Sequence, residues 1–338
     1  MNAALLVICV AVLSVVLTGA MRRYALARRL LDQPNERSSH VVATPRGGGV
    51  AIVIAFCAAM VWLWSVGDIA YAEAIALVGA GGWVALVGFL DDHGHIAARW
   101  RLLAHFLGAA WALYWIGGLP PLVLFGTEMQ LGWVGHAAAA VLLVWLLNLY
   151  NFMDGIDAIA GIEAVTVAIG GALLWSLTTG SSAALAPAVL AAASAGFLAW
   201  NLPPARIFMG DAGSGFLGLV LAVFAVWSAH DAGQLFWSWM ILLGVFVVDA
   251  TVTLIRRILR GERFYEAHRS HAYQYAARQY GQHRVVSFAV GAINLLWLLP
   301  IATLVAFGKL DGLLATLVAY APLGWLALRF KAGAKELQ

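Results

Sequence analysis

A series of apolar runs, each close to the length needed to cross a lipid bilayer, restricts this chain to a membrane fold. A helix needs about 20 apolar residues to span the hydrocarbon core. The runs cover residues 2–20, 47–67, 72–90, 102–118, 131–149, 158–179, 182–200, 212–229, 235–255, 285–307 and 312–329. Of the 338 residues, 63% are hydrophobic and 11% are charged, an excess that a water-soluble core cannot hide. The sequence therefore predicts an all-α, polytopic membrane protein of about 11 transmembrane helices that forms a single domain over residues 1–338.

The positions of the basic residues predict the orientation of the chain. The first apolar run is preceded by no basic residue and followed by Arg22 and Arg23, the reverse of a secretory signal. We therefore expect a retained first span, with the N-terminus periplasmic and the C-terminus cytoplasmic. Since cytoplasmic loops collect Lys and Arg, this orientation leaves Lys309 as the only one of the 20 basic residues outside. The five inside loops are then 21–46, 91–101, 150–157, 201–211 and 256–284, and the C-terminal tail is also inside.

Other functional classes fit the composition poorly. The chain has no basic, aromatic-interleaved soluble module, so nucleic-acid binding is not expected. Cys9 and Cys57 both lie within apolar runs, which argues against a disulfide framework. Membrane lipid is an expected partner of such a surface. A homodimer is also compatible with it, because lipid-facing and partner-facing apolar surfaces look alike in a sequence.

The first two inside segments carry glycines and paired carboxylates. Three glycines follow Arg46 at the mouth of a predicted helix, where the backbone lets a phosphate approach the free amides. The alternative is a polar loop with a flexible start to the next span. Asp91 and Asp92 end the third apolar run, and Arg101 follows. Adjacent carboxylates at a membrane edge need a cation or a role in proton transfer, unless they only cap a helix end.

The third inside segment repeats an oxygen-bearing side chain at every third residue: Asn148, Asn151, Asp154 and Asp157. On an unbroken helix this spacing drifts around the axis, so we expect Gly155 to break the helix and let the side chains converge. Carboxylate and amide oxygens suit Mg²⁺, which takes one or two carboxylates together with water and substrate phosphate. A purely structural turn would explain Gly155 alone.

The fourth segment leads from Asn201 to Asp211, which lies between glycines where an apolar run begins. Its simplest interpretation is a helix N-cap, although a capped helix end is also a rigid position for a metal ligand.

The fifth segment is rich in Arg and His. We expect His268 and His271 to face the same way on a helix, and, together with Arg269, to form charge-assisted hydrogen bonds with phosphate. The alternative is ordinary juxtamembrane charge attracted to anionic lipid. We expect Asp249, near the inner end of the ninth run, to pair with a neighbouring Arg.

These residue types together favour metal-assisted phosphoryl transfer, which depends on positioning and charge neutralisation. A secondary transporter is less consistent, because transporters bind substrate near the bilayer midplane on broken helices. A membrane-embedded, Mg²⁺-dependent phosphatase of lipid pyrophosphates would use similar ligands with water as the acceptor. Product analysis distinguishes the two enzymes.

Three motifs in this order resemble the polyprenyl-phosphate N-acetylhexosamine-1-phosphate transferase superfamily, glycosyltransferase family 4. They are Asp91-Asp92, residues 151–157 (NFMDGID) and residues 208–214 (FMGDAGS). Residues 37–40 (RSSH), 44–49 (TPRGGG) and 267–271 (AHRSH) are most similar to the branch that initiates O-antigen. The peptidoglycan translocase of this superfamily has three consecutive histidines where this chain has the last of these segments.

The resemblance implies transfer of an N-acetylaminosugar-1-phosphate from a UDP-N-acetylaminosugar to undecaprenyl phosphate at the cytoplasmic face of the bacterial inner membrane. Mg²⁺ is the implied cofactor, with Mn²⁺ as a substitute. Which UDP-sugar serves, and whether an aspartate attacks covalently, stay open. The implied roles are catalysis for Asp91, Asp92 and Asp154, metal binding for Asn151 and Asp211, and substrate binding for Asp157, Asn201, Arg46, Arg101, His268, Arg269 and His271.

Overall fold

The computed structural model of the chain describes residues 2–34, 42–94, 96–262 and 269–335. Helices account for most of these residues, and two short antiparallel strand pairs add to them. The α-helices, numbered α1 to α14, are Ala3–Arg28, Val50–Ser65, Tyr71–His93, Ala98–Ile116, Gly132–Met153, Ile159–Thr179, Leu185–Asn201, Asp211–Asp231, Gln234–Leu242, Gly244–Leu259, Ala272–Tyr280, His283–Ile293, Leu299–Ala306 and Gly312–Arg329. The strands, numbered β1 to β4, are Leu31–Asp32, Thr44–Pro45, Leu122–Leu124 and Thr127–Met129; β1 pairs with β2, and β3 with β4. A 3₁₀ turn, Ser182–Ala184, precedes α7, and a π-helical turn, Asn294–Leu298, joins α12 to α13.

Each predicted apolar run coincides with a helix or with two consecutive helices, which confirms the all-α, polytopic fold. Eight of the described helical segments are long and apolar enough to cross a membrane. A ninth is the pair α9 and α10, which bends by 70°. The helix α2 has only 16 residues, and α4, which carries Arg99 and Arg101, falls outside this set. The number of 11 spans therefore stays a prediction.

The helix α8 forms the centre of the bundle, because every residue from Ala212 to Ala229 is buried. It packs against α3 and α5, and its first turn crosses the start of α2. At the crossing, a β-carbon on Gly213 would lie 2.6 Å from Cα of Gly49, closer than real side chains approach. The beginning of α8 is thereby held between the ends of neighbouring helices.

The glycine run after Arg46 serves this packing. The amide of Gly48 donates to the carbonyl of Phe208 (2.9 Å), and the amide of Gly49 donates to that of Met209 (2.9 Å). A β-carbon on Gly48 would collide with the Phe197 ring. Gly48 and Gly49 thus make close contacts within the protein itself, where the sequence predicted room for a ligand.

The five segments predicted to lie inside meet at one end of the bundle. Arg46 of the first contacts Asp92 of the second, and Arg101 of the second contacts Asp211 of the fourth. The third segment meets the fourth where Asp157 accepts a hydrogen bond from the amide of Ala205 (3.1 Å). Asp157 also lies 3.3 Å from His283 of the fifth.

The intervening segments meet at the opposite end. Ser182 donates to the carbonyl of Asp68 (2.6 Å), and the amide of Phe125 donates to the carboxylate of Asp311 (2.6 Å). This alternation is the one expected of a chain that crosses the bilayer repeatedly. Which end faces the cytoplasm stays a prediction from the positions of Lys and Arg.

Candidate functional site

Two arginines hold three carboxylates together at the end of the bundle where the basic segments meet. Asp91 and Asp92 are in the last turn of α3, and Asp211 is the first residue of α8. Nη1 of Arg101 donates to the Asp91 carboxylate and lies 3.4 Å from Oδ2 of Asp211. Nη2 of Arg46 donates to the carbonyl of Asp92 (2.5 Å), and its Nε lies 3.7 Å from the Asp92 carboxylate. Charge is thus concentrated where α3, α4 and α8 converge.

Asp92 is the most deeply placed of these carboxylates. Its side chain faces the backbone amides of Asp211 and Ala212, where the N-terminal dipole of α8 favours negative charge. The residue is only 6% exposed, and its Oδ2 has no hydrogen-bond partner among the described residues. A buried carboxylate oxygen without a partner is costly, so this position favours a proton or a cation.

The N-cap interpretation of Asp211 does not hold. Gly210 is the N-cap of α8, with a positive φ of 77°, and Asp211 follows as the first helical residue. The Asp211 carboxylate instead faces Arg101 and the side-chain amide of Asn151. Its position at the helix end is therefore compatible with ligand binding.

Asp154 lies just beyond α5, where the helix stops before Gly155, as the sequence predicted. Loss of hydration and the nearby carboxylates of Asp211, Asp92 and Asp157 raise the pKa of Asp154 well above its usual range. Within this cluster, the five carboxylates of Asp91, Asp92, Asp154, Asp157 and Asp211 outnumber the guanidinium groups of Arg46 and Arg101. Such an excess is typical of sites that bind a cation.

The donor set fits a cation that phosphates would help to bind. No group of three acidic, histidine or cysteine side chains in the described parts of the chain converges closely enough to hold a metal ion alone. Asp211 and Asn151 together offer one carboxylate and one amide oxygen. Mg²⁺ is commonly bound by one or two carboxylates, several waters and substrate phosphates, and less often by a complete protein cage. The oxygens present suit that mode of binding.

A groove with a volume of 490 Å³ leads to this cluster from the membrane-facing side. Arg101, Asn151 and Asp211 line its polar end. The remaining lining is mainly apolar and comes from α3, α4, α5, α8 and α10, including Val84, Val87, Leu102, Phe106, Val141, Val144, Leu147, Phe152, Leu254 and Ile258. An amphiphile with an anionic head and an apolar chain matches this distribution of polar and apolar surface.

The loop from Asp154 to Ala158 is fixed by its neighbours. The side chain of Asn201 accepts from the amide of Ala158 (2.9 Å) and donates to the carbonyl of Ile207 (2.9 Å). Both ends of this predicted substrate-binding side chain are thus used by the backbone. A β-carbon on Gly155 would overlap the hydroxyl of Tyr273, which donates to the carbonyl of Phe152 (3.1 Å).

The structure describes residues 256–262 and 269–284 of the fifth segment. His268 lies outside the described residues. Arg269 is partly buried, and its carbonyl accepts from Arg278 (3.3 Å). His271 is 3% exposed and is the N-cap of α11, which begins only at Ala272. The helix expected to align His268 with His271 therefore does not include His271.

Asp249 also differs from its expected pairing. Its carboxylate accepts from the amides of Ala272 (2.9 Å) and Tyr273 (3.0 Å) and lies 3.4 Å from Nδ1 of His271. Its main partner is thus the N-terminus of α11, where an Arg was predicted. The loss of hydration, reinforced by the charges of Asp249 and Asp154, raises the pKa of Tyr273, so that its hydroxyl remains a donor.

His283 belongs to the Arg- and His-rich fifth segment, but the sequence predicted no specific role for it. His283 contacts Asp157 through Nδ1, 3.3 Å from the carboxylate. Its only sequence signal was a lone histidine at the start of an apolar run, which ordinary juxtamembrane polarity also explains.

Comparison with known proteins identifies the family of the chain. The model of glycosyl transferase family 4 matches residues 74–229. A probable undecaprenyl-phosphate N-acetylglucosaminyl 1-phosphate transferase of Bacillus subtilis is 30% identical over 290 residues, which cover 81% of this chain and 75% of that protein. The chain belongs to glycosyl transferase family 4.

Two further relatives are similar to this chain along most of their length. The decaprenyl-phosphate N-acetylglucosaminephosphotransferase of Mycolicibacterium smegmatis is 29% identical over 292 residues, covering 76% of this chain and 70% of that protein. The protein of the same name from Mycobacterium leprae is 28% identical over 321 residues, covering 84% and 79%. The stretch matched by the family model contains the carboxylate cluster and Arg101, whereas Arg46, Arg269 and His271 lie outside it.

Proposed function

We propose that this chain transfers an N-acetylaminosugar-1-phosphate from a UDP-sugar to undecaprenyl phosphate. The products are undecaprenyl-pyrophosphate-sugar and UMP. The observation that carries the proposal is the junction of the apolar groove with the carboxylate cluster of Asp91, Asp92 and Asp211. The groove suits a polyprenyl chain, and Arg101 at its polar end suits the lipid phosphate. The names of the relatives support the acceptor class.

In this proposal, each residue around the groove mouth has its own role in the reaction. Arg101 and Arg46 neutralise phosphate charge, and Asp91 and Asp92 orient the lipid phosphate or accept its proton. Asp211 and Asn151 hold Mg²⁺, which supplies charge neutralisation at the pyrophosphate. Asp154 completes the negative cluster. Asp157, with Arg269 and His271, lies on the donor side and binds the nucleotide-sugar.

The donor and the pathway form the finer part of the proposal. UDP-N-acetylglucosamine is the first donor to test, because the relatives are named for N-acetylglucosamine. The motifs around Arg46 and Arg269 support an O-antigen or related cell-surface glycan as the pathway that the product initiates. The bacterial relatives support the inner membrane as the location, and the Lys and Arg distribution supports a site facing the cytoplasm.

The deciding experiment incubates purified protein with undecaprenyl phosphate, Mg²⁺ and a panel of UDP-N-acetylaminosugars. We expect equimolar UMP and lipid-linked sugar from one or a few donors, measured by mass spectrometry and chromatography. A lipid pyrophosphate phosphatase would instead release inorganic phosphate from undecaprenyl pyrophosphate and form no lipid-linked sugar. Uptake of an anion into proteoliposomes without UMP release would favour a transporter.

The groove assignment has its own matched pair of variants. Val141 lines the groove, whereas Leu317 on α14 is similarly exposed but distant from it; their exposed fractions are 58% and 60%. We expect Val141→Trp to raise the KM for undecaprenyl phosphate about tenfold while leaving that for the UDP-sugar unchanged, because an indole removes much of the volume available to the chain. Leu317→Trp serves as the control. Equal KM values for undecaprenyl phosphate in the two variants would contradict the assignment of the groove to the lipid chain.

A further inference from the structure

One face of α12 packs along α6. The contact begins near Asp157 and runs away from it. His283, Ser287, Gly291 and Asn294 are spaced by four, four and three residues, so they form one stripe along the helix. At its beginning, His283 faces the Asp157 carboxylate, and Ser287 Oγ donates to the carbonyl of Asp157 (2.6 Å). Two contacts therefore attach the start of α12 to the loop that carries Asp157.

The stripe continues along α6 towards the middle of the membrane. A β-carbon on Gly291 would lie 2.9 Å from Cγ2 of Ile162, so the two helices are in close contact at this level. One turn further, Nδ2 of Asn294 donates to Oε2 of Glu163 (2.7 Å) and lies 2.8 Å from the hydroxyl of Thr166. The contact between α6 and α12 thus ends in a polar pair surrounded by apolar side chains.

This pair has an incomplete set of hydrogen bonds. Glu163 is 0% exposed and Asn294 is 1% exposed. Oε1 of Glu163 and Oδ1 of Asn294 are both buried and have no partner among the described residues. The described residues provide no ion pair for this carboxylate, which sits in a membrane-spanning helix where an unpaired charge is expensive. A proton on Glu163 would supply a donor to this hydrogen-bonded pair, in which each member keeps one buried acceptor without a partner among the described residues.

We propose that Glu163 is a neutral carboxylic acid in a cyclic pair with Asn294, and that this pair positions α12 against Asp157. The acid proton on Oε1 donates to Oδ1 of Asn294, while Nδ2 of Asn294 donates to Oε2. A protonated carboxyl group has one donor and a free acceptor, and a carboxamide has both, so the ring satisfies all these atoms without charge. The pair does not touch substrate, and Glu163 and Asn294 are positioning residues.

The backbone of α12 fits this role. The π-helical turn begins at Asn294 itself and ends at Leu298, before α13 continues the span. Such turns insert a residue into a helix and are frequent at functional sites. Here the widened turn begins where Asn294 reaches Glu163, so the pair fixes the register of α12 along α6. The link from this register to catalysis rests on the proposed function, in which Asp157 binds the nucleotide-sugar.

The protonation state can be tested without any substrate. Infrared difference spectra of the full-length protein in detergent at neutral pH, wild type against Glu163→Gln, are expected to show the carbonyl stretch of a hydrogen-bonded carboxylic acid only in the wild type. Asn294→Leu should shift that band, because it removes the partner. A carboxylate band in place of the acid band would overturn the proposal. This readout judges the pair even if the chain catalyses a different reaction.

The positioning role is tested by kinetics. Asn294→Leu is expected to raise the KM for the UDP-sugar about tenfold, the size of one buried hydrogen bond, with kcat and the KM for the lipid little changed. Glu163→Gln should remain near the wild type, because its amide can close the same ring. Thr303→Val is the control, since the hydroxyl of Thr303 donates within α13, to the carbonyl of Leu299 (2.7 Å). An unchanged KM in Asn294→Leu, or a large rise in Glu163→Gln, would contradict the role.

Discussion

At the end of the bundle opposite the candidate site, acidic side chains form separate, local hydrogen bonds. Asp311 is the N-cap of α14; it accepts from the amide of Leu314 (3.0 Å) and also from Phe125 (2.6 Å) of the β3–β4 hairpin. Asp231 accepts from the indole of Trp175 (2.7 Å), and Glu73 accepts from the amide of Ala70, the N-cap residue of α3. Each of these carboxylates has a structural partner of its own.

At the site end, the carboxylates converge. Asp91 and Asp211 share one arginine, and Asp92 keeps an oxygen without a partner among the described residues. The crossing of α2 over α8 and the end of α3 bring these residues together from distant parts of the chain. Convergence of like charges is unfavourable for folding, so the arrangement is better explained by ligand binding than by stability.

Cavity size does not distinguish the two ends. A cavity of 470 Å³ at the opposite end is lined by Trp64, Tyr71, Trp227 and the three acidic residues Asp68, Glu73 and Asp231. It is as large as the groove at the site, but its lining includes no Lys or Arg. The position of arginine next to converging carboxylates therefore identifies the candidate site better than volume or acidity does.

The largest expected difference between the two ends is in catalysis. Asp211→Asn and Asp91→Asn should each lower the rate of lipid-linked sugar formation by about 10²-fold or more, because each removes a charge that acts on the phosphates. Asp311→Asn is the matched control, because Asn caps a helix as well as Asp does. It should keep the wild-type rate. All variants should insert and elute like the wild type in size-exclusion chromatography.

The functional distinction between the two ends would be contradicted if the rates of these variants did not follow this order. Near-normal turnover of both Asp211→Asn and Asp91→Asn would contradict the assignment of the carboxylate cluster to the active site. A comparable loss of turnover in Asp311→Asn would show that carboxylates act on the reaction from either end.

The dependence of turnover on Mg²⁺ also tests the functional difference between the two ends of the bundle. EDTA should abolish product formation, and added Mg²⁺ should restore it, with Mn²⁺ as a substitute. Asn151→Ala should raise the Mg²⁺ concentration needed for half-maximal rate by about 10- to 100-fold, since one of two protein oxygens is lost. Asp231→Asn at the opposite end should leave that concentration unchanged. Turnover that resists the chelator would contradict the metal assignment.

Much of the fold was predictable because the bilayer imposes a length on every span. The apolar runs gave the helices, and the break at Gly155 followed from oxygen donors that cannot share one face of a continuous helix. The 70° bend between α9 and α10 was not predicted. Gly244, the first residue of α10, lies at the bend, where a β-carbon would lie 2.9 Å from the Tyr320 ring. A lone glycine within an apolar run does not predict a bend of this size.

The site was predictable as a set of residues and less so as a set of contacts. Asp91, Asp92 and Asp211 were recognised by residue type and position at helix ends. Their sharing of Arg101 required the arrangement of α3, α4 and α8, which no local pattern contains. The glycines after Arg46 were interpreted either as room for a ligand or as a flexible start to the helix, because a sequence does not reveal that Gly213 lies opposite Gly49.

Arg101 gives an intermediate effect that sharpens the comparison. Arg101→Lys keeps the charge but cannot serve two carboxylates through a planar guanidinium, so we expect about a tenfold loss in kcat/KM for undecaprenyl phosphate. Lys309→Gln, which changes the one basic residue predicted to lie at the other end, should change kcat/KM by less than about twofold. If Arg101→Lys retains full activity, the arginine acts only as a point charge.

The smallest effect is expected from the carboxylates at the end opposite the site. Their substitution should change stability and leave turnover unchanged. Asp311→Ala removes the N-cap of α14 and the bond to Phe125, and should lower the free energy of unfolding by about 1 kcal/mol. Thermal unfolding in detergent measures this loss, with Asp311→Asn as the reference that retains the cap. The turnover of Asp311→Ala below its unfolding temperature should equal that of the wild type. A loss of turnover without a loss of stability would instead assign Asp311 to the reaction and erase the distinction between the two ends.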